Sequence, residues 1–339
     1  MVEQVSDTRK KALSRWISQI KVGHTPLEMI SGDASSRRYF RFHDQNCNYI
    51  AVDAPPEQED VELFVALTEK YSQEGLNVPS VYHYDLEQGF MCLLDLGDEL
   101  LSLHLNLENV IDFYRSALNL LPSIRNVQAT RLGQLPHYDA SMLSFEMNLM
   151  DEWFIKKLLM IQLNSAQKDQ LSAVKQIIID NVTSQSQVGV HRDFHSRNLM
   201  LYNNEIAVID YQGAVIGPVT YDLVSLLRDC YVDWPCDVLD NLLKEQFIHL
   251  KQEGVLFEGT SEAEFIKGFD LMGMQRHIKV LGIFSRLSLR DQKHHYLEDI
   301  PRVLHYLIDV SSRYVEFKDF SIWLREEILP KWNHVCIAR

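Results

Sequence analysis

The chain has 339 residues, 46% of them hydrophobic and 24% charged, enough to bury a large core in one domain or two lobes. Its 47 acidic against 33 basic residues give a formal net charge of −14, which argues against broad binding to nucleic acid or to an anionic membrane. The five cysteines form no C-x-x-C pair and no zinc spacing, and no run reads as a signal peptide or membrane span, so reduced thiols, a cytoplasmic address and no obligatory protein partner are expected.

In chain order, Leu13, Trp16, Ile17 and Ile20 space an amphipathic helix that should pack on the body. The turn from Ser31 to Ser36 follows, where backbone N–H groups and the hydroxyls of Ser35 and Ser36 could meet a phosphate. Tyr39-Phe40-Arg41-Phe42 and Tyr49-Ile50-Ala51-Val52 flank a polar turn and predict an antiparallel pair, stopped by Asp53-Ala54-Pro55-Pro56. Val61 to Tyr71 predicts a helix with Leu63, Phe64 and Leu67 on one face and Gly75 as its stop. Val78-Pro79 and Phe90-Met91-Cys92-Leu93-Leu94 add strand material, and Asp95-Leu96-Gly97 reads as a connector. Beyond it the pattern is helical almost throughout. These elements predict an α+β molecule: residues 1–97 as a small sheet-rich lobe that binds nucleotide, and 98–339 as a large helical lobe with the catalytic loop and substrate site. A nucleotide would lie in the cleft between lobes, near Asp95 and Gly97.

The most informative stretch is His191-Arg192-Asp193-Phe194-His195-Ser196-Arg197-Asn198, followed by Asp210. Kinase catalytic loops have the form H-R-D-x-x-x-x-N, with a metal-holding aspartate a short hairpin later. Leu199-Met200-Leu201-Tyr202 and Ile206-Ala207-Val208-Ile209 read as the two strands, turning near Asn203-Asn204, because asparagine tolerates positive φ. The hairpin should set Asn198 beside Asp210. Two hard oxygen donors there suit Mg²⁺, and Asp193 is placed to orient a hydroxyl and accept its proton. His195 and Arg197, beside the base, are candidates for substrate or γ-phosphate contact. His191 and Asp222 read as supports of the loop.

The pattern departs from protein kinases in three places. There is no G-x-G-x-x-G loop over the phosphates. The strand expected to end V-A-I-K reads Ile50-Ala51-Val52-Asp53, so Arg37, Arg38 or Arg41 must supply the missing charge, or Mg²⁺ and backbone must suffice. Gly217-Pro218 and Tyr221-Asp222 follow Asp210 too closely for an activation segment. Farther on, Arg276, Lys279, Arg286 and Arg290 share an arc of roughly 80° on one helix, a face able to receive a carboxylate, with Arg276 as the first candidate.

His191, Asp193, His195 and Asn198 form H-x-D-x-H-x-x-N, which resembles the signature of the aminoglycoside phosphotransferase family of small-molecule kinases. The segments 32–41, 53–56, 209–214, 217–229 and 270–277 are similar to one subgroup of it, the anomeric amino-sugar kinases of cell-wall recycling. The resemblance implies a protein-kinase-like two-lobed fold, a small antiparallel-sheet lobe with a mainly helical one, ATP and Mg²⁺ as the co-reactants, and transfer to the C1 hydroxyl of N-acetylmuramate or N-acetylglucosamine. The subgroup also lacks the strand lysine. Kinases for another small alcohol (an aminoglycoside, choline or homoserine) are the nearest alternative, and a non-catalytic binding module is a more distant one.

Overall fold

Strand alternation builds the first of two compact units. The computed structural model describes residues 2–21, 25–30, 36–44 and 47–337, and this unit takes Met1–His104, Ala129–Gln134 and Asn198–Gly213. Helix α1 (Val2–Ile20) leads into an antiparallel sheet of β1 (Glu28–Met29), β2 (Arg38–Asp44), β3 (Cys47–Asp53), β4 (Val81–Asp85) and β5 (Phe90–Leu94), in the spatial order β1-β2-β3-β5-β4. The β2–β3 register sets Phe40 opposite Ala51 and Phe42 opposite Tyr49, so their period of two buries one row against Leu13, Trp16 and Ile17 of α1. The amphipathic first helix therefore docks as its spacing implies.

Between β3 and β4, α2 (Val61–Gln73) starts where the Asp60 carboxylate accepts the Leu63 N–H at 2.8 Å, and Gly75 at φ +85° ends the turn after it. Phe64 and Leu67 are buried as expected, while Leu63 is half-buried and Val65, Ala66 and Thr68 join the core, a wider face than the spacing suggested. Val78-Pro79 lies before β4 rather than within it, consistent with a residue that has no N–H to give a ladder.

The hairpin Leu199–Tyr202 with Glu205–Val208 forms on the expected turn, Asn203 and Asn204 both at positive φ, 52° and 65°. It belongs to this first unit. Met200 and Ala207 pack with Leu96, and Leu201 and Val208 donate N–H bonds to the carbonyls of Glu99 and Asn77, each 2.8 Å. The expected break after Gly97, with the whole of 98–339 as the second lobe, thus differs from the observed division at His104.

The second unit takes Leu105–Gln128, Leu135–Arg197 and Ala214–Arg339. Its axis is the helix Glu262–Asp291, opened by a capping box between Ser261 and Glu264 and closed at Gln292 in the left-handed region. Most of its length is buried, polar residues included. At Gly282 it meets the helix Ala140–Leu149 so closely that a Cβ would lie 2.3 Å from the Leu149 carbonyl carbon. The unit also contains a two-stranded ribbon, Gln187–Val190 with Val215–Pro218, in a region read as almost wholly helical outside the hairpin. Four residues per strand carry too little alternation to announce themselves.

Candidate active site

The ribbon delivers the chain at His191, and the helix Tyr221–Leu227 brings Asp222 back to meet it. The Asp222 carboxylate accepts the N–H groups of His191 at 2.8 Å and Arg192 at 3.0 Å, the support role expected of it. His191 is fully buried, and its Nδ1 accepts the Asp193 N–H at 3.2 Å. A second brace was not foreseen: the N–H and hydroxyl of Ser196 both donate to Asp229, at 2.9 and 2.6 Å. The loop is bolted at both ends.

Arg192 sits at φ +79°, a conformation that costs a non-glycine residue about 1–3 kcal/mol and persists only when its surroundings enforce it. Here three of its groups are held. Its N–H goes to Asp222, its carbonyl accepts from Arg276 Nη1 at 3.0 Å, and its guanidinium pairs with Glu146. Glu146 is buried and also accepts from Lys279 at 2.9 Å, Tyr138 and Gln275. Arg276 and Lys279 are therefore buried structural cations, 3% and 8% exposed. The continuous basic face read from the helix does not exist as a surface: Arg286 is half-buried and only Arg290 is exposed.

The strained turn aims Asp193 outward. Its side chain is 43% exposed, with Arg276 Nη1 3.7 Å from its Oδ1. Its low-dielectric surroundings would raise its pKa, but Lys279 first, then Arg276, His195 and His191, outweigh them and hold it at about 2. A carboxylate so placed stays ionised at any physiological pH and accepts a hydrogen bond. His195 is buried and meets the edge of Tyr231 at 5.1 Å between ring centroids, and Arg197 lies 3.8 Å over the same ring.

The division between units falls between Arg197 and Asn198, so the other expected residues belong to the first unit. Ile209 donates its N–H to the Asn198 carbonyl at 3.1 Å, and Asn198 Nδ2 lies 3.5 Å from Asp210 Oδ2, side by side as the hairpin requires. Asp210 is exposed at φ +66°. One carboxylate and one amide oxygen fit Mg²⁺, which is commonly held by one or two carboxylates plus substrate phosphates. Among the described residues no group of three His, Cys, Asp or Glu side chains could hold a metal ion.

Of the residues expected at the nucleotide, Ser35 lies outside the described residues. Ser36 and Arg37 both bond Glu59, Arg37 through Nε at 2.7 Å, and Arg37 lies over the Phe64 ring. Burial raises the Tyr39 hydroxyl; Arg37 opposes that and Asp210 adds to it, so these side chains share one electrostatic environment. Arg38 pairs with the buried Asp53, as does Arg9. Arg41 bridges Asp98 and Asp95, whose bonds raise its guanidinium further, and Asp95 also accepts the Gly97 N–H at 2.9 Å. Each candidate replacement for the strand lysine is therefore neutralised by a carboxylate, and at the lysine's own position Asp53 is enclosed by arginines.

Glu146, Asp229 and Lys279 are the site residues that the sequence reading missed or misplaced. Glu146 and Asp229 lie 46 and 33 positions from their loop partners, beyond any local motif.

A family model described as "Phosphotransferase enzyme family" matches residues 26–255. The chain is 36% identical over 300 residues to an N-acetylmuramate/N-acetylglucosamine kinase of Pseudomonas putida, covering 88% of each, and 36% identical over 313 residues to one of Neisseria meningitidis, covering 91% of this chain and 92% of that one. Among solved structures it is similar to an ethanolamine kinase of Plasmodium vivax (TM-score 0.64, 11% identity, 87% and 86% of the two chains). It is also similar to the choline kinase LicA of Streptococcus pneumoniae (TM-score 0.62, 12% identity, 88% and 99%), a likeness that shows the protein-kinase-like fold. With the family model spanning most of its length, the chain belongs to the aminoglycoside phosphotransferase (APH) family of phosphotransferase enzymes.

Proposed function

We propose that the chain is an ATP-dependent kinase that phosphorylates N-acetylmuramate or N-acetylglucosamine at the anomeric hydroxyl, as a step in cell-wall recycling in the cytoplasm. The observation that carries the reading is Asp193, presented outward by an Arg192 held at its N–H, carbonyl and guanidinium, and kept ionised by Lys279 and Arg276. Full-length similarity to kinases named for those sugars supports the substrate class.

In this reading the sugar C1 oxygen attacks the γ-phosphorus, the bond from that phosphorus to the β–γ bridging oxygen breaks, and ADP leaves. Asp193 accepts the hydrogen bond of the attacking hydroxyl and takes its proton as the new bond forms. A base with a pKa near 2 is weak, which suits a loose transition state that asks more for alignment than for deprotonation. Asn198 and Asp210 would hold Mg²⁺, which would supply neutralisation of phosphate charge. Ser35, Ser36, Arg37, Arg41, Asp95 and Gly97 are assigned to the nucleotide, with Arg37 preferred among the arginines because it shares its surroundings with Asp210. His195 and Arg197 are assigned to the sugar side, whereas Arg276, expected there from the sequence, is buried and acts through Arg192 and Asp193.

The test is ADP release with Mg²⁺-ATP and each sugar, with NMR locating the phosphate on the product. Asp193→Ala should lower turnover by about 10²- to 10⁴-fold while nucleotide binding survives. Failure to turn over either sugar would overturn the reading.

A further inference from the structure

We propose that Arg197, mounted on Tyr231, reads the carboxylate of the sugar's lactyl group and so separates N-acetylmuramate from N-acetylglucosamine. This rests on the amino-sugar reading above. The argument begins with how far that carboxylate can be from the reacting hydroxyl. The carboxylate carbon is six bonds from the C1 oxygen, so at roughly 1.3 Å of advance per bond it lies within about 8 Å of it, and its receptor must belong to the neighbourhood of Asp193.

Most cations fail on reach or on commitment. Along the helix Glu262–Asp291, a rise of about 1.5 Å per residue puts Arg286 and Arg290 roughly 15 and 21 Å beyond Arg276. Arg276 is 3% exposed, gives Nη1 to the Arg192 carbonyl and sets its charge against Asp193. Lys279 is buried on Glu146 and Tyr221, and Arg192 is paired with Glu146. Arg197 differs. It stands four residues after the base in the same loop, is half-buried, and forms no ion pair with a carboxylate among the described residues, in a chain whose acidic side chains outnumber its basic ones.

Its surroundings hold it ready for an anion. The guanidinium lies 3.8 Å over the Tyr231 ring, a cation–π contact that fixes its position without neutralising it. Tyr231 is itself rigid: its N–H donates to Asp229 Oδ1 at 2.9 Å, the carboxylate whose other oxygen holds Ser196. His195 packs on its edge and Phe284 beside it at 5.9 Å. With one face under Arg197 and its flanks taken, Tyr231 serves as a pedestal. A pre-oriented guanidinium fork matches a carboxylate in two parallel hydrogen bonds.

The experiment measures kcat/KM for both sugars in Arg197→Gln and in Tyr231→Leu, with Tyr231→Phe as the variant that keeps the cation–π contact. A charge-assisted bond implies a loss of about 10- to 100-fold for N-acetylmuramate in Arg197→Gln, with less than about 3-fold for N-acetylglucosamine. Tyr231→Leu should shift selectivity in the same direction by less, and Tyr231→Phe should leave it near the wild-type value. Equal losses for both sugars, or a raised KM for ATP with sugar selectivity intact, would assign Arg197 to the loop or the phosphates and overturn the proposal. Should wild-type protein turn over neither sugar, the amino-sugar reading falls, and this proposal with it.

Discussion

Glu146→Gln removes one negative charge and almost no volume from the centre of the second unit. The wild-type carboxylate has 5% of its side chain exposed and faces Arg192, Lys279 at 2.9 Å, Tyr138 and Gln275 at 3.3 Å. Lys279 is about as buried, with 10% side-chain exposure, so the substitution leaves two enclosed cations without their shared counter-charge. Breaking a buried ion pair from one side costs about 3–5 kcal/mol. For a unit of this size each kcal/mol lowers Tm by about 2–3 °C, so Tm should fall by roughly 6–15 °C in a melt followed by circular dichroism. Because Arg192 holds a strained φ through that pairing, kcat should fall more than KM rises. Adding Lys279→Met should recover part of the loss, the double variant costing about 1–3 kcal/mol less than the sum of the singles. A Tm within about 2 °C of wild type, or strict additivity with Lys279→Met, would refute the claim that this cluster carries the loop.

Two other perturbations test the frame around it. Burial pushes the Asp222 carboxyl up to about 7, against the N–H bonds from His191 and Arg192 and the charge of Arg276. A raised carboxyl contributes stability that is full below its ordinary value near 3.8 and is lost as pH rises through 7. The Tm advantage of wild type over Asp222→Asn should therefore shrink between pH 5 and pH 8, and a constant difference would count against it. Gly282→Ala, worth about 1 kcal/mol of stability in an exposed helix, should instead destabilise by about 1–3 kcal/mol, since its Cβ would meet the backbone of Leu149 and Met150. A rise in Tm would show that the two helices can part without cost.

Local chemistry was legible. Asn203-Asn204 announced the hairpin turn because few other residue types accept two consecutive positive φ values. Asn198 and Asp210 came together as a consequence of strand register alone. The pairing of β2 with β3 followed from alternation, and Asp222 as a support of the loop from its place at a helix start. What periodicity could not state was what covers a face. Arg276, Lys279, Arg286 and Arg290 share a helical arc, and a stripe of charge is usually solvated; here the Glu146 carboxylate from another helix makes burial of the first two tolerable. Nor did chain position reveal that residues 198–213 pack with the N-terminal unit, which depends on apolar contacts to Leu96 and backbone bonds to Asn77 and Glu99.

By itself, then, the sequence determined the reaction class, the three residues of the H-x-D and hairpin pattern, and the elements that carry them, since each of these depends on neighbours within about twenty positions. The tertiary structure alone decided that Arg192 is a strained strut, that Glu146 and Asp229 hold the loop, that Arg276 and Lys279 act on Asp193 from inside, and that Arg197 meets no carboxylate among the described residues. The reason is electrostatic. Whether a charge is a strut or a receptor depends on which opposite charge lies within a few ångströms, and those partners come from distant parts of the chain.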